Sequence, residues 1–168
     1  LPFAESVYSG ADIILKVQRP LFNVTIQKNE TDLMKPDSLL ISFLFPLNYP
    51  ETIRDLAQKR INSISMDFIP RTTLAQKMDA LSSQANVAGY KSVLVAANEL
   101  GKMFPLLMTA AGTVNPAKVV IMGAGVAGLQ ALGTAKRLGA VVEVSDIRPS
   151  VKEEVKSLGG RFIELDAS

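Results

Sequence analysis

The absence of histidine and cysteine from all 168 residues excludes the common zinc sites, Ser/His and Cys/His nucleophile pairs and an imidazole general base. The 18 Lys and Arg residues against 16 Asp and Glu leave a net charge of +2 without a basic block, which disfavours nucleic acid as a partner. Apolar residues make up 48% of the chain and charged residues 20%, so we expect a globular protein. Because histidine and cysteine are missing, we predict no metal site.

The opening stretch, LPFAESVYSGADIILKV, lacks the basic start and cleavage site of a signal peptide and resembles a chain that begins inside a fold. Short apolar or β-branched runs predict strands over residues 12–17, 38–45 and 61–68, the first two of them buried. Pro50 and the apolar spacing within NYPETIRDLAQKR predict a helix between the last two strands. Because this order implies a parallel crossover, residues 1–72 are interpreted as a partial α/β domain.

A long linking helix is predicted over residues 73–101, where the apolar period changes to that of a helix. Its predicted buried stripe consists of Leu74, Met78, Leu81, Ala85, Ala88 and Val95. Small residues are so frequent on this helix that another element is expected to pack closely on it. Two prolines and a glycine in FPLLMTAAGTVNPAK predict a linker over residues 102–115. No apolar run reaches the roughly 18 residues that a membrane helix needs.

The last segment, residues 116–168, shows the order strand, helix, strand, helix, strand. The predicted elements cover residues 118–122, 126–138, 141–146, 149–158 and 161–165. Such a βαβαβ unit is the first half of a Rossmann domain. The predicted fold class is therefore α/β, with two Rossmann-like parallel-sheet domains joined by a long helix, both incomplete in this chain.

A GxGxxG motif, formed by Gly123, Gly125 and Gly128, lies between the first of these strands and the helix that follows it. In this context the first glycine permits a tight turn, the second lets a pyrophosphate approach the backbone, and the third allows close packing of helix on sheet. The positive end of the helix dipole also favours phosphates. The predicted dinucleotide-binding residues are Gly123, Ala124, Gly125, Val126, Ala127 and Gly128. A glycine-rich turn without a ligand is the alternative.

Asp146 ends the next strand, 18 residues after Gly128. An acid at this position accepts hydrogen bonds from the adenosine ribose and repels a 2′-phosphate, which favours NAD(H) over NADP(H). Ile147 and Arg148 complete the predicted cofactor-binding set. Two interpretations of Arg148 stay open, a surface arginine or a guanidinium that holds the 2′-phosphate of NADP(H).

The stretch PRTTLAQKMDALSSQANVAGY precedes and begins the long helix. Thr73 and Gln76 have the spacing of a capping box, in which Gln76 has a structural task. On this interpretation Arg71 is a solvated loop residue, and Asp79 is a first-turn acid that the helix dipole favours.

This stretch, together with DIILKV, TAAGTVNPAKVVIMGAGVAGLQA and SDIRPSVKEEVKSLGGRFIELD, resembles the NAD(H)-binding component, domain I, of proton-translocating nicotinamide nucleotide transhydrogenases. The resemblance covers essentially the whole chain. It implies that Arg71, Gln76 and Asp79 reach the nicotinamide as catalytic residues and that Ser82 contributes to cofactor binding. Members of the family often have a second arginine where this sequence has Leu74. The family's opening strand, and the strands that complete its second sheet, have no counterpart here.

The resemblance further implies a Re/Si-specific transhydrogenase component that binds NAD(H) and passes hydride to NADP⁺ on a partner domain. The implied partners are the NADP(H)-binding domain, a membrane domain that translocates protons, and a second copy in a homodimer. The implied location is the cytoplasmic or matrix face of a membrane complex, without a span of its own. The missing histidine fits this chemistry, because hydride transfer between two nicotinamides needs positioning and no general acid or base.

Two other functions stay open. Alanine dehydrogenases share the two-domain plan and pair a lysine at the position of Lys16 with a histidine, but ISFLFPL offers Phe45 or a neighbour in place of that histidine. Without an acid or base partner, Lys16 is interpreted as a structural lysine at a strand end. The second possibility is a module that binds NAD(H) and catalyses nothing.

Overall fold

The computed structural model describes residues 4–164 and divides into two units, Leu1–Leu81 and Ser82–Ser168. Each unit has its own apolar core. The domain limits at residues 72, 101 and 115 stay predictions, whereas the helices and strands can be compared with the expectations one by one.

The first unit contains a parallel sheet of three strands. In chain order its elements are α1 (Ala4–Gly10), β1 (Ile13–Leu15), β2 (Phe22–Asn23), β3 (Lys28–Asn29), β4 (Leu39–Ser42), α2 (Pro50–Gln58) and β5 (Asn62–Ser65). The sheet order is β1-β4-β5, all parallel, and β2 and β3 form a separate antiparallel pair. Helix α2 begins at Pro50, as expected for a proline in the first turn. The predicted parallel crossover is confirmed.

The strands of the first unit are shorter than predicted, and after β4 a side chain accepts the hydrogen bonds of the backbone amides. The Asp67 carboxylate accepts hydrogen bonds from the amides of Leu44 (2.9 Å) and Phe45 (3.2 Å), and Phe45 has a φ of 48°. A short 3₁₀ helix at Met66–Phe68 replaces the predicted end of the third strand. Strand β1 is buried on one face only, at Ile14, so the prediction that it is wholly buried was wrong.

The second unit is built around the predicted half of a doubly wound sheet. Its elements are α3 (Ala80–Glu99, whose first two residues belong to the first unit), β6 (Leu107–Thr109), β7 (Gly112–Val114), β8 (Lys118–Met122), α4 (Val126–Arg137), β9 (Val141–Ser145), α5 (Lys152–Ser157) and β10 (Arg161–Phe162). The order β10-β9-β8, all parallel, confirms the βαβαβ half. The predicted end of the last strand at Leu165 lies outside the described residues.

Three expectations about residues 73–115 differ from the structure. Helix α3 begins at Ala80 rather than Thr73. Its buried positions are Gly89 and Val93, whereas Leu74 is 89% exposed, so the predicted apolar stripe was wrong. The predicted linker contains an antiparallel hairpin, β6 and β7.

Among the residues that the structure describes, no helix is long and apolar enough to cross a membrane.

Candidate functional site

The turn between β8 and α4 has the backbone shape that its glycines predict. Gly123 has a φ of 103°, a backbone conformation that residues other than glycine rarely adopt. Its amide donates to the Ser145 carbonyl oxygen at 2.7 Å. A Cβ atom built at Gly128 would lie 1.8 Å from the Gly123 carbonyl oxygen. The first and third glycines therefore have the two structural tasks that the motif assigns to them.

Gly125 has a different environment, because nothing lies within 4 Å of a Cβ atom built there. It is the N-cap residue of α4 and provides no side-chain cap, so the first-turn amides, which have no helical acceptors, face an open approach. Val126 is 41% exposed at the same helix end. An open approach at the second glycine, next to a helix N-terminus, fits the pyrophosphate of a dinucleotide.

Helix α3 packs on the first turn of α4 with backbone close to backbone. A Cβ atom built at Gly89 would lie 2.2 Å from the carbonyl oxygen of Ala127. This confirms the expectation that the small residues of α3 admit another element closely. Gly89 thus helps to position the turn that contains Ala127, a contribution that the motif alone does not reveal.

The Asp146 side chain is directed back toward the turn. One carboxylate oxygen, Oδ2, accepts a hydrogen bond from the amide of Ala124 at 2.7 Å, and its side chain is only 6% exposed. Hydrogen bonds from the Arg148 guanidinium and from the amides of Ala124 and Arg148 hold the pKa of Asp146 well below its usual range. An ionised acceptor therefore lies beside the turn of residues 123–128, which we call the cradle, at every physiological pH. Ile147, next to it, is 99% exposed.

The loop that contains Arg71 and Gln76 is organised by Thr72, not by a capping box. The Thr72 hydroxyl accepts a hydrogen bond from the Ala75 amide (3.3 Å), and the Thr72 carbonyl oxygen accepts one from the Gln76 amide (2.8 Å). A 3₁₀ helix follows at Gln76–Met78, before α3 begins. The predicted capping box of Thr73 and Gln76 is therefore wrong.

The four nicotinamide-site candidates lie along one continuous stretch of chain. Arg71 and Gln76 are exposed, Asp79 is half-buried immediately before α3, and Ser82 is the third residue of α3. Arg71 to Asp79 belong to the first unit, whereas Ser82 and the cradle belong to the second. The roles of these four residues stay predictions.

Lys16 follows β1 and forms an ion pair that the sequence did not predict. Its ammonium lies 2.7 Å from Glu30 Oε2 and 2.8 Å from Oε1. Glu30 also accepts hydrogen bonds from the Tyr8 hydroxyl (3.1 Å) and from the Leu21 amide (2.8 Å). The Glu30 side chain is 15% exposed and that of Lys16 is 21% exposed. The ion pair agrees with the interpretation of Lys16 as a structural lysine.

Glu30→Gln should destabilise the first unit by about 1 kcal/mol at pH 7, since charge-assisted hydrogen bonds are stronger than neutral ones. Burial raises the pKa of Glu30, but the hydrogen bonds from Lys16 and the Leu21 amide outweigh burial and leave the pKa below its usual value of 4.5. The carboxylate therefore contributes stability above that value, and the contribution is lost as the pH falls through the lower folded pKa. Urea unfolding of the wild type and of Glu30→Gln measures the difference in their free energies of unfolding. The measurement is repeated in steps of roughly one pH unit from about pH 7 down to about pH 3.

Glu5→Gln is the matched control, because Glu5 forms an exposed ion pair with Lys28 that should contribute little. If Glu30→Gln and Glu5→Gln have equal effects at every pH, the Glu30 cluster does not stabilise the fold.

No group of three or more Asp or Glu residues within residues 4–164 could hold a metal ion. The sequence analysis missed Glu30 as the partner of Lys16, because nothing in the spacing of the two residues indicated it. It expected the small residues of α3, Gly89 among them, to admit another element closely, but it did not identify the first turn of α4 as that element.

The two domain models of one protein family match the chain along its length. Residues 1–88 match the alanine dehydrogenase/PNT N-terminal domain, and residues 92–168 match the alanine dehydrogenase/PNT C-terminal domain. The first part of the NAD(P) transhydrogenase subunit alpha of Rhodospirillum rubrum is 47% identical over 163 residues, which cover 97% of this chain and 42% of that protein. The alanine dehydrogenase of Methanococcus maripaludis is 29% identical over 150 residues, or 88% of this chain and 38% of that protein.

Among solved structures, the crystal structure of a transhydrogenase from Sinorhizobium meliloti matches with a TM-score of 0.86 at 45% identity, over 97% of this chain and 45% of the other. These matches confirm the predicted resemblance and fold class, with alanine dehydrogenases more distant. The chain spans less than half the length of each of these three relatives.

Proposed function

Because the chain belongs to the alanine dehydrogenase/PNT family, we propose that it is the NAD(H)-binding part of a transhydrogenase alpha subunit. Its reaction is direct transfer of hydride between NADH and NADP⁺ held by a partner domain. Bound NADH supplies the hydride, and the residues of this chain hold the cofactor and orient it.

The observation that carries this proposal is the geometry of the turn between β8 and α4. Gly125 leaves an open approach to the helix N-terminus, and the ionised Asp146 is tied to the same turn through the Ala124 amide. The first feature suits a pyrophosphate, and the second suits a ribose with free hydroxyls. Ile147, fully exposed beside Asp146, offers an apolar surface to the adenine ring. NAD(H) is therefore preferred to NADP(H).

Arg71, Gln76 and Asp79 orient the nicotinamide in this proposal. None of them has to gain or lose a proton, since a hydride that moves between two ring carbons leaves no proton behind. Their task is positioning at near-attack distance with water excluded. Ser82 contributes to the same site.

The ion pair of Lys16 with Glu30 disfavours the alanine dehydrogenase alternative. A lysine that binds or activates an amino-acid substrate needs its donors for that substrate, whereas the two oxygens of Glu30 engage two of the three donors of this ammonium. The chain also has no histidine to act with it.

The whole assembly is part of the proposal. The partners are an NADP(H)-binding domain, a proton-translocating membrane domain and a second copy of this chain in a homodimer. The described part of this chain lies at the membrane surface, on the cytoplasmic or matrix side, and proton translocation belongs to the membrane domain.

A mixing experiment tests the proposed function. The alpha subunit that contains this chain, combined with a transhydrogenase NADP(H)-binding domain, should reduce a spectroscopically distinct NADP⁺ analogue with NADH. It should form no NADH from alanine and NAD⁺. Alanine oxidation at a comparable rate would replace the proposal with an alanine dehydrogenase activity. NADH binding without either reaction would favour a non-catalytic binding module.

A further inference from the structure

The Asp146 carboxylate has no acceptor position left for a ligand. Oδ1 accepts hydrogen bonds from the Arg148 amide (2.8 Å) and Arg148 Nε (3.0 Å). Oδ2 accepts them from the Ala124 amide (2.7 Å) and Arg148 Nη2 (3.1 Å). A carboxylate offers about four lone-pair positions, and all four are taken. A ribose that donates two hydroxyls to Asp146 must therefore displace two existing donors.

The four donors differ in how easily they can leave. The two amides belong to the backbone that forms the turn after β8 and the turn after β9, so moving them would distort the cradle. The two guanidinium donors are on a flexible side chain that is 56% exposed and whose only ion-pair partner is Asp146 among the described residues. The guanidinium is therefore the group that gives way.

We propose that Arg148 is a specificity-determining latch, which occupies the ribose-binding positions of Asp146 in the free protein and must swing away when adenosine binds. This inference rests on the proposed NAD(H) site. The latch weakens binding of NAD(H), because each binding event first breaks the bidentate pair.

The latch also weakens discrimination against NADP(H). While Arg148 pairs with Asp146, the two charges cancel, so the carboxylate repels a 2′-phosphate less than an isolated acid would. Once released, the guanidinium lies beside the ribose, where it is able to pair with that phosphate bidentately. Arg148 therefore opposes the ribose and attracts the phosphate, and both effects move specificity toward NADP(H).

ADP-ribose and ADP-ribose 2′-phosphate are suitable probes, because they contact the cradle and Asp146 without a nicotinamide. Calorimetric titration should show that Arg148→Gln binds ADP-ribose roughly two- to fivefold more tightly than the wild type, the scale of an exposed ion pair. The same variant should bind ADP-ribose 2′-phosphate more weakly, so the ratio of the two dissociation constants changes by roughly tenfold or more. Arg137→Gln removes the same charge from the last residue of α4, at the helix end away from the glycine turn. This variant should leave the dissociation constants of both probes unchanged.

A spectroscopic measurement follows the latch itself. In the ligand-free wild type, the Nε proton of Arg148 should exchange slowly with solvent in ¹⁵N NMR, and Asp146→Asn should accelerate its exchange. Saturating ADP-ribose should abolish the slow exchange. Retention of slow exchange in the ADP-ribose complex would overturn the latch, because the guanidinium would then stay on Asp146 beside the bound ribose.

The binding outcomes separate the latch from the cofactor site. If Arg148→Gln weakens both probes equally, Arg148 is an ordinary cofactor ligand and the latch is wrong, while the proposed function stands. If neither probe binds the wild type or any variant, the proposed NAD(H) site is wrong, and the latch has no ligand to oppose.

Discussion

Gly125→Val should reduce NADH affinity at least about 100-fold, or about 2.7 kcal/mol, while the protein stays folded. The reason is that a Cβ atom at this position meets no atom of the protein within 4 Å. The valine side chain would therefore extend into the approach that we assign to the pyrophosphate. The backbone at Gly125 has φ −81° and ψ −171°, an extended conformation that valine also adopts. Titration of NADH fluorescence measures the affinity, and circular dichroism confirms the fold.

Gly133→Ala is the matched control within the same helix. A Cβ atom at Gly133 meets only Arg137 Nη1, at 3.8 Å, so this variant should bind NADH as the wild type does. It should also be more stable by about 0.5 to 1 kcal/mol, as expected for glycine replaced in a helix interior. If Gly125→Val binds NADH as tightly as Gly133→Ala, the pyrophosphate does not lie over the second glycine of the motif.

The second sheet was predictable because its signals are local. The run KVVIM lies between Pro116 and Gly123, and the predicted limits of β8 coincide with the observed ones. Helix α4 and strand β9 end one residue earlier than predicted, at Arg137 and Ser145. In each case a glycine or a proline follows the end of the element within a few residues.

Helix α3 was harder to predict because its limits and its buried face depend on contacts outside the periodic pattern. The Thr72 turn shifts its start to Ala80, although the apolar spacing continues through Leu74. Its buried face includes Gly89, which lies against the backbone of Ala127. Hydrophobic periodicity detects buried apolar side chains. It does not detect a glycine that is buried because it lacks a side chain.

The positions of the glycine turn and of the acid beside it were predictable, but the pairing of Asp146 with Arg148 was not. The GxGxxG spacing and the acid after the next strand identify Asp146 without a structure. Whether Arg148 faces solvent, a phosphate or Asp146 depends on the rotamer of a long side chain. The same limit applies to Lys16, whose partner Glu30 lies 14 residues away in sequence.

Gln76→Ala should slow hydride transfer at least tenfold, about 1.4 kcal/mol in the activation free energy, if Gln76 orients the nicotinamide. The backbone amide of Gln76 donates to the Thr72 carbonyl oxygen, and the Gln76 side chain is exposed. Removing the side chain therefore takes no cap from α3. The melting temperature and the NADH dissociation constant should therefore change little. Gln76→Asn keeps the amide but shortens its reach by one methylene, so it should also slow the transfer. Single-turnover reduction of an NADP⁺ analogue on the partner domain measures the rate.

Lys77→Ala is the control for Gln76, because Lys77 is exposed in the same 3₁₀ helix and has no assigned contact with the cofactor. It should transfer hydride at the wild-type rate. Equal slowing in Gln76→Ala and Lys77→Ala would indicate that the loop, and not the glutamine amide, determines the rate. A wild-type rate in both Gln76 variants would remove Gln76 from the site. It would also weaken the assignments of Arg71 and Asp79, which rest on the same resemblance and lie on the same stretch of chain.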